Sequence, residues 1–141
     1  MHREVRVEAL SIRSDPARIR DVRSWVATIA RSAGFSEGET HDLAVALSEV
    51  CSNSYRHSYG GRTDGRIDLE AELENGQLRL TVRDYGTAFD ASEYDAPDPP
   101  VLSEGGYGLF LIRRLTDEVK YTKMGVGTRV VLVKHRRQER E

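Results

Sequence analysis

Val5 and Val7 alternate with Glu4, Arg6 and Glu8, the two-residue period of a half-buried strand, and predict an edge or exchangeable strand at the start of the chain. Asp15-Pro16 then offers a capping side chain followed by proline at the first helical position. Behind it Ile19, Val22, Val26, Ile29 and Ala33 recur at steps of three and four, so a helix should run to Gly34. Ser36 and Glu39 have the spacing of a capping box and open a second helix to about His57, with Leu43, Leu47, Val50 and Ser54 as its inner stripe and Ala44 and Cys51 beside it. Tyr59-Gly60-Gly61 ends it in a turn.

Ile67, Leu69, Ala71 and Leu73 alternate with charges, Asn75-Gly76 supplies a tight turn, and Leu78, Leu80 and Val82 alternate again before Asp84: a hairpin. From Ala91 to Gly106 the chain turns to Asp, Pro, Ser and Gly, including Ala96-Pro97-Asp98-Pro99-Pro100, which continues neither a helix nor an interior strand. A loop of that length in a small domain suits a lid or binding segment. Tyr107 to Leu115 has helical periodicity, and Val119 and Tyr121 begin a strand that turns at Met124-Gly125-Val126-Gly127 into Thr128 to Val133. Strand, helix, helix, hairpin, lid, helix, hairpin is the order of an α+β sandwich, a mixed or antiparallel sheet covered on one face by three helices.

The length of 141 residues fits one domain spanning 1–141, with the lid at about 91–106. Lys plus Arg is 21 against 23 for Asp plus Glu, a net charge of -2, which makes no electrostatic case for direct nucleic-acid binding or for an anionic membrane as partner. With 38% hydrophobic and 31% charged residues the chain reads as soluble rather than membrane-spanning. Met1 to Leu10 is interleaved with charges and lacks the pattern of an export signal. Cys51 is the single cysteine, so no internal disulfide or cysteine metal site can form, and a cytoplasmic location is expected.

Glu49, Asn53 and His57, spaced four apart, share one side of the second helix, with Asp42 near the same line. An ordinary solvated face would explain them. Asn is a poor interior helix former, however, and a carboxylate base beside an amide oxygen able to ligate a hard cation such as Mg²⁺ makes chemical sense. Asp84-Tyr85-Gly86-Thr87-Ala88-Phe89-Asp90 follows a strand: either an Asp-capped turn, or a carboxylate accepting from a base amino group with Gly86 admitting a flat ring to the backbone. Gly105-Gly106-Tyr107-Gly108 precedes a helix and is either a hinge or a set of free amides suited to phosphate. Gly125-Val126-Gly127-Thr128 is explained by turn chemistry alone.

In their joint order these segments resemble the GHKL ATPase superfamily, and within it the anti-sigma factor serine/threonine-protein kinases; the likeness covers most of the chain. The stretch from Glu49 to Tyr59 is similar to that family's asparagine box, Asp84-Tyr85-Gly86 to its adenine box, and Gly105 to Ile112 to its phosphate-facing glycine box. The resemblance implies a two-layer α/β sandwich of the Bergerat type with a mixed sheet, binding ATP and Mg²⁺. It makes Glu49 the general base and Asn53 the Mg²⁺ ligand. The nucleotide would be lined by Asn53, His57, Asp84, Gly86, Ala88, Gly105, Gly106, Tyr107, Gly108, Leu109 and Thr128, with Asp84 on the adenine amino group.

The implied substrate is a serine of an anti-anti-sigma partner of the STAS type, and the implied second partner a sigma factor. The sequence leaves oligomeric state open; proteins of this kind often form dimers, and an alternating edge strand such as Val5 to Ala9 could pair across chains as a homodimer. Ala88 stands where many relatives have a second glycine, and Asp95, Asp98 and Glu104 make the lid acidic, opposing phosphate unless Mg²⁺ or Arg113 and Arg114 offset it. A non-catalytic switch module of the same fold, regulating a partner by docking with or without nucleotide, is the alternative.

Overall fold

The computed structural model describes residues 5–87 and 106–137, with residues 106–109 described as backbone only. The lid segment 91–105, Ala88 and Gly105 lie outside the described residues, as do the side chains of Tyr107 and Leu109. Helix α1 (Pro16–Ser32) begins where the Asp15 carboxylate accepts from the Ala17 amide at 2.9 Å, with Pro16 at its first position. It stops at Gly34, whose φ of 84° is left-handed. Helix α2 (Glu37–Asn53) opens on the expected box, the Ser36 hydroxyl accepting from the Glu39 amide at 3.1 Å and the Glu39 carboxylate from the Ser36 amide at 2.9 Å. Beyond Asn53 it leads directly into one π turn at Ser54–Ser58, a form that recurs at functional positions.

Strands β1 (Val5–Arg13), β2 (Arg66–Glu74), β3 (Gln77–Asp84), β4 (Glu118–Lys123) and β5 (Thr128–His135) form one five-stranded sheet in the order β1-β2-β3-β5-β4. Of the mixed and antiparallel arrangements, the described strands adopt the antiparallel one in all four pairings. Asn75 and Gly76, at φ 53° and 74°, make the tight turn between β2 and β3. Helix α3 (Gly106–Leu115) joins β3 to the β4–β5 hairpin, which folds back so that β5 lies against β3.

Ile67, Leu69, Ala71, Leu78, Leu80, Val82, Val130 and Leu132 point from the sheet to the inner stripes of α1 and α2 and to Ile112 of α3, and this layer is the core. The opposite face of β2 carries Asp68, Glu70, Glu72 and Glu74, the polar surface of a sheet covered on one side. In β1 the two-residue period is real but its valines face outward. Val5 and Val7 are 50% and 55% exposed, while Leu10 and Ile12, opposite Leu69 and Ile67, pack inward. The pairing register to β2 decides the face, and the alternation alone does not.

Candidate functional site

The end of β3 continues the inward positions of Leu78, Leu80 and Val82 one step further and so delivers Asp84, only 1% exposed, into the interior. Its carboxylate is held by neutral donors. Oδ2 accepts from the Ser54 hydroxyl at 2.7 Å and the Ser58 hydroxyl at 2.8 Å, and Oδ1 accepts from the Thr128 amide at 3.1 Å. Ser54 and Ser58 are four apart on the π turn and therefore share a face. The register that sets Arg83 opposite Arg129 places the Thr128 amide beside Asp84. Such hydrogen bonds to an ionised oxygen are among the stronger ones and compensate for its loss of water.

Two glycines close this region. A Cβ on Gly127 (φ 75°) would lie well under 3.0 Å from the Asp84 carbonyl oxygen, and one on Gly86 equally close to the Ser58 carbonyl oxygen. The Thr87 amide donates to that Ser58 oxygen at 2.7 Å, stitching the π turn to the segment after β3. Tyr59 completes the frame: its hydroxyl donates to the Arg66 carbonyl and accepts from the Tyr85 amide at 2.9 Å. Thr128 is itself 1% exposed, and its Oγ1 has no hydrogen-bond partner among the described residues. A buried hydroxyl left in that state costs free energy unless a guest supplies the bond.

Immediately before the π turn, Asn53 is 5% exposed, which removes the solvated-face explanation at that position of the polar stripe. Its Oδ1 accepts from Arg56 Nη2 at 2.8 Å, and its side chain also bonds Tyr121, whose phenol burial pushes up to about 12. Glu49 and His57 are half-buried on the same side. Burial, aided by the Arg56 charge, holds the His57 imidazole below its ordinary 6.5 and so favours the neutral form. Asp42 does not join this group; it lies 3.7 Å from Lys134 of β5.

Gly106 is the first residue of α3, so the backbone of Gly106 and Gly108 lies in the turn where helix amides are free. The other end of α3 is anchored by the buried Lys134 ammonium, which donates to the Leu115 carbonyl at 2.9 Å. Among the described residues no group of three or more His, Cys, Asp or Glu side chains is arranged to hold a metal ion. A magnesium ion bound beside Asn53 would therefore take most of its ligands from phosphate oxygens and water.

Asp84, Gly86, Gly127 and Thr128 come together as one cluster, while Glu49 and Asn53 lie on α2 and His57 on the π turn that follows it. Sequence reasoning did not assign Ser54, Ser58, Tyr59, Arg56 or Tyr121 to the site. The available signal is the pair of serines four apart on the motif helix, although the apolar spacing counts Ser54 with the inner stripe. Among the described residues no helix is long and apolar enough to cross a membrane.

Residues 12–134 match the family model described as Histidine kinase-like ATPase domain. The serine-protein kinase RsbW of Listeria monocytogenes serovar 1/2a is 40% identical over 116 residues, 76% of this chain and 73% of that protein. RsbW of Bacillus velezensis is 30% identical over 139 residues, 93% of this chain and 86% of that protein. The crystal structure of the RsbU and RsbW domains of Rv1364c from Mycobacterium tuberculosis superposes with a TM-score of 0.70 at 20% identity, covering 93% of this chain; the chain spans 32% of that longer protein.

Proposed function

Because the chain belongs to the histidine kinase-like ATPase family and, within it, to the anti-sigma factor kinases typified by the RsbW serine-protein kinases, we propose that it phosphorylates a serine of a STAS-type anti-anti-sigma protein and alternately sequesters a sigma factor. The observation that carries the nucleotide half of this reading is Asp84. Three donors use three of its roughly four acceptor positions and leave Oδ1 able to take one more bond, the requirement for an adenine amino group. The orphaned Thr128 hydroxyl beside Asp84 offers a second polar contact at the same place. ATP therefore fits the residues present, with Asp84, Gly86 and Thr128 on the base side and Gly106 and Gly108 on the phosphate side.

In the reaction, Glu49 takes the proton from the attacking serine hydroxyl as the new oxygen–phosphorus bond forms and the bond to the departing ADP oxygen breaks. Asn53, one helical turn on, offers its amide oxygen to Mg²⁺ once Arg56 yields it. Bound magnesium supplies neutralisation of phosphate charge. His57, held neutral, can donate or accept a hydrogen bond on the phosphate side without adding charge there.

The occupation of Asn53 Oδ1 by Arg56 favours, as a second reading, a docking module that binds nucleotide without transferring phosphate. Calorimetric titration of ATP with and without Mg²⁺, and radiolabel transfer to a serine-bearing STAS partner, separate the two. Magnesium-dependent binding lost in Asn53→Ala and Asp84→Asn, with transfer abolished but binding kept in Glu49→Gln, is the expected result. Transfer by Glu49→Gln at the wild-type rate removes Glu49 from the base role. Binding without any transfer by the wild type leaves the docking module.

A further inference from the structure

The β2–β3 hairpin stops pairing before its register requires. Glu74 and Gln77 flank the Asn75-Gly76 turn and form the closing pair. Hydrogen-bonded pairs recur at every second position of an antiparallel ladder, so Glu72 with Arg79, Glu70 with Thr81 and Asp68 with Arg83 should be followed by Arg66 with Tyr85. Pairing ends instead at Ile67 with Asp84, although Arg66 still pairs with Arg13 of β1. Where the next direct bond would form, the Tyr59 hydroxyl lies between the strands, donating to the Arg66 carbonyl and accepting from the Tyr85 amide at 2.9 Å. A side chain from the residue that caps the π turn substitutes for the last rung and keeps Tyr85 and Gly86 off the ladder.

The ring that carries this hydroxyl is confined on two sides. Tyr59 is 5% exposed. A Cβ on Gly65 would lie 2.5 Å from three of its ring carbons, and one on Gly86 would lie 2.9 Å from its Cδ1. Gly65 has no left-handed φ, so the ring is the obstacle to a side chain there. Gly65 is also pinned from behind. Its carbonyl accepts from the Ser14 amide at 2.7 Å and its amide donates to the Ser14 hydroxyl at 3.0 Å, and Ser14, just past the end of β1, is fully buried. With one wall held in place, the thickness of the ring sets where the other wall, Gly86, can stand. The Thr87 amide, donating to the Ser58 carbonyl at 2.7 Å, closes the far side.

We propose that Tyr59 is a positioning residue of the base pocket, a wedge whose ring fixes Gly86 beside Asp84 and whose hydroxyl prevents the segment after β3 from zipping onto β2. It acts on the nucleotide through Gly86 and Asp84 rather than by touching it. The inference rests on the nucleotide reading for what is positioned, and on the wedge alone for how. In Tyr59→Phe the ring stays, but the Arg66 carbonyl and Tyr85 amide lose their shared partner and stand in register to bond each other. Closing that rung draws Gly86 toward β2 and away from Ser58, while Asp84 keeps its serine donors.

Two measurements on the full chain test this, and the first needs no nucleotide. Amide hydrogen exchange of Tyr59→Phe should show Thr87 losing at least about tenfold of its protection while Leu80 and Val82, within β3, keep theirs. Gly65→Ala, which drives a Cβ into the ring, should release Thr87 in the same way and should add nothing in a Tyr59→Ala background. Unchanged Thr87 protection in Tyr59→Phe, equal losses at Thr87 and Leu80, or an undiminished effect of Gly65→Ala without the ring overturns the wedge.

In the second, ATP and inosine triphosphate, which carries a carbonyl where adenine has its amino group, are titrated by calorimetry. Tyr59→Phe should weaken ATP at least about tenfold, equivalent to ~1.4 kcal/mol, and inosine triphosphate less, so that the preference for ATP narrows. An unchanged ratio of the two affinities overturns the positioning role. Failure of the wild type to prefer ATP overturns the nucleotide reading instead, and the exchange measurement then decides the wedge by itself.

Discussion

Removing the two hydroxyls that serve Asp84 should cost more together than the sum of the separate losses. In Ser54→Ala the Asp84 Oδ2 keeps its bond from Ser58 at 2.8 Å, and in Ser58→Ala it keeps the one from Ser54 at 2.7 Å. Each single change therefore removes one of two bonds to a charged acceptor, about 1.5 kcal/mol at the lower end for such bonds. The double variant leaves that oxygen buried with no donor, since Asp84 is 1% exposed and its remaining bond, from the Thr128 amide, goes to Oδ1.

The full desolvation penalty then applies, and the total should reach roughly 5 kcal/mol, about 2 kcal/mol beyond additivity. Urea denaturation of the wild type, both singles and the double gives the coupling directly, and repeating the cycle in Asp84→Asn should nearly abolish it. Additivity within about 0.5 kcal/mol, or a coupling that survives Asp84→Asn, would refute the shared-carboxylate reasoning. ATP affinity should follow the same order, because the oxygen left for the base amino group is oriented by these bonds.

Gly127→Ala must adopt a left-handed φ of 75° at a cost of about 1–2 kcal/mol and push its Cβ against the Asp84 carbonyl, so calorimetry should show ATP affinity falling further than folding stability measured in urea. Cys51 is fully buried and its thiol is pushed up to about 12 by burial, so thiol reagents should label the native chain only at the rate of unfolding, and saturating ATP should slow them. His57 is held below 6.5 in the folded chain, a depressed base, so its contribution is present above that value and is lost as pH falls and the unfolded state takes the proton first. His57→Gln should flatten the decline of melting temperature just below pH 6.5, and an unaltered slope would remove His57 as its source. Leu80→Ala, at the centre of the sheet and 1% exposed, should cost about 2–5 kcal/mol in urea and leave the nucleotide contacts in place.

The helix starts at Asp15 and Ser36, the stop at Gly34 and the turn at Asn75-Gly76 were legible because each depends on a side chain and a backbone group within a few residues of one another. Asp84-x-Gly86 and the pair Glu49 and Asn53 are likewise visible as local patterns, a strand end followed by glycine and a four-residue helical spacing. Legibility failed where a face or a partner had to be chosen. Val5 and Val7 have the right period for a strand, but they face outward because β1 meets β2 with Ile12 opposite Ile67. Ser54 reads as part of an apolar stripe, yet the π turn makes it a donor to a carboxylate thirty residues away.

What the sequence determined by itself was thus the set of local elements, the order of the motifs, and the family resemblance that order carries. Only the tertiary structure decided that β5 lies against β3, bringing the Thr128 amide to Asp84 across 44 residues of chain. It alone joined Arg56 to Asn53. The physical reason is one of range. Periodicity, capping and turn preference are fixed by neighbours along the chain, whereas strand order, register and the choice of partner for a buried charge depend on which distant segments share the core.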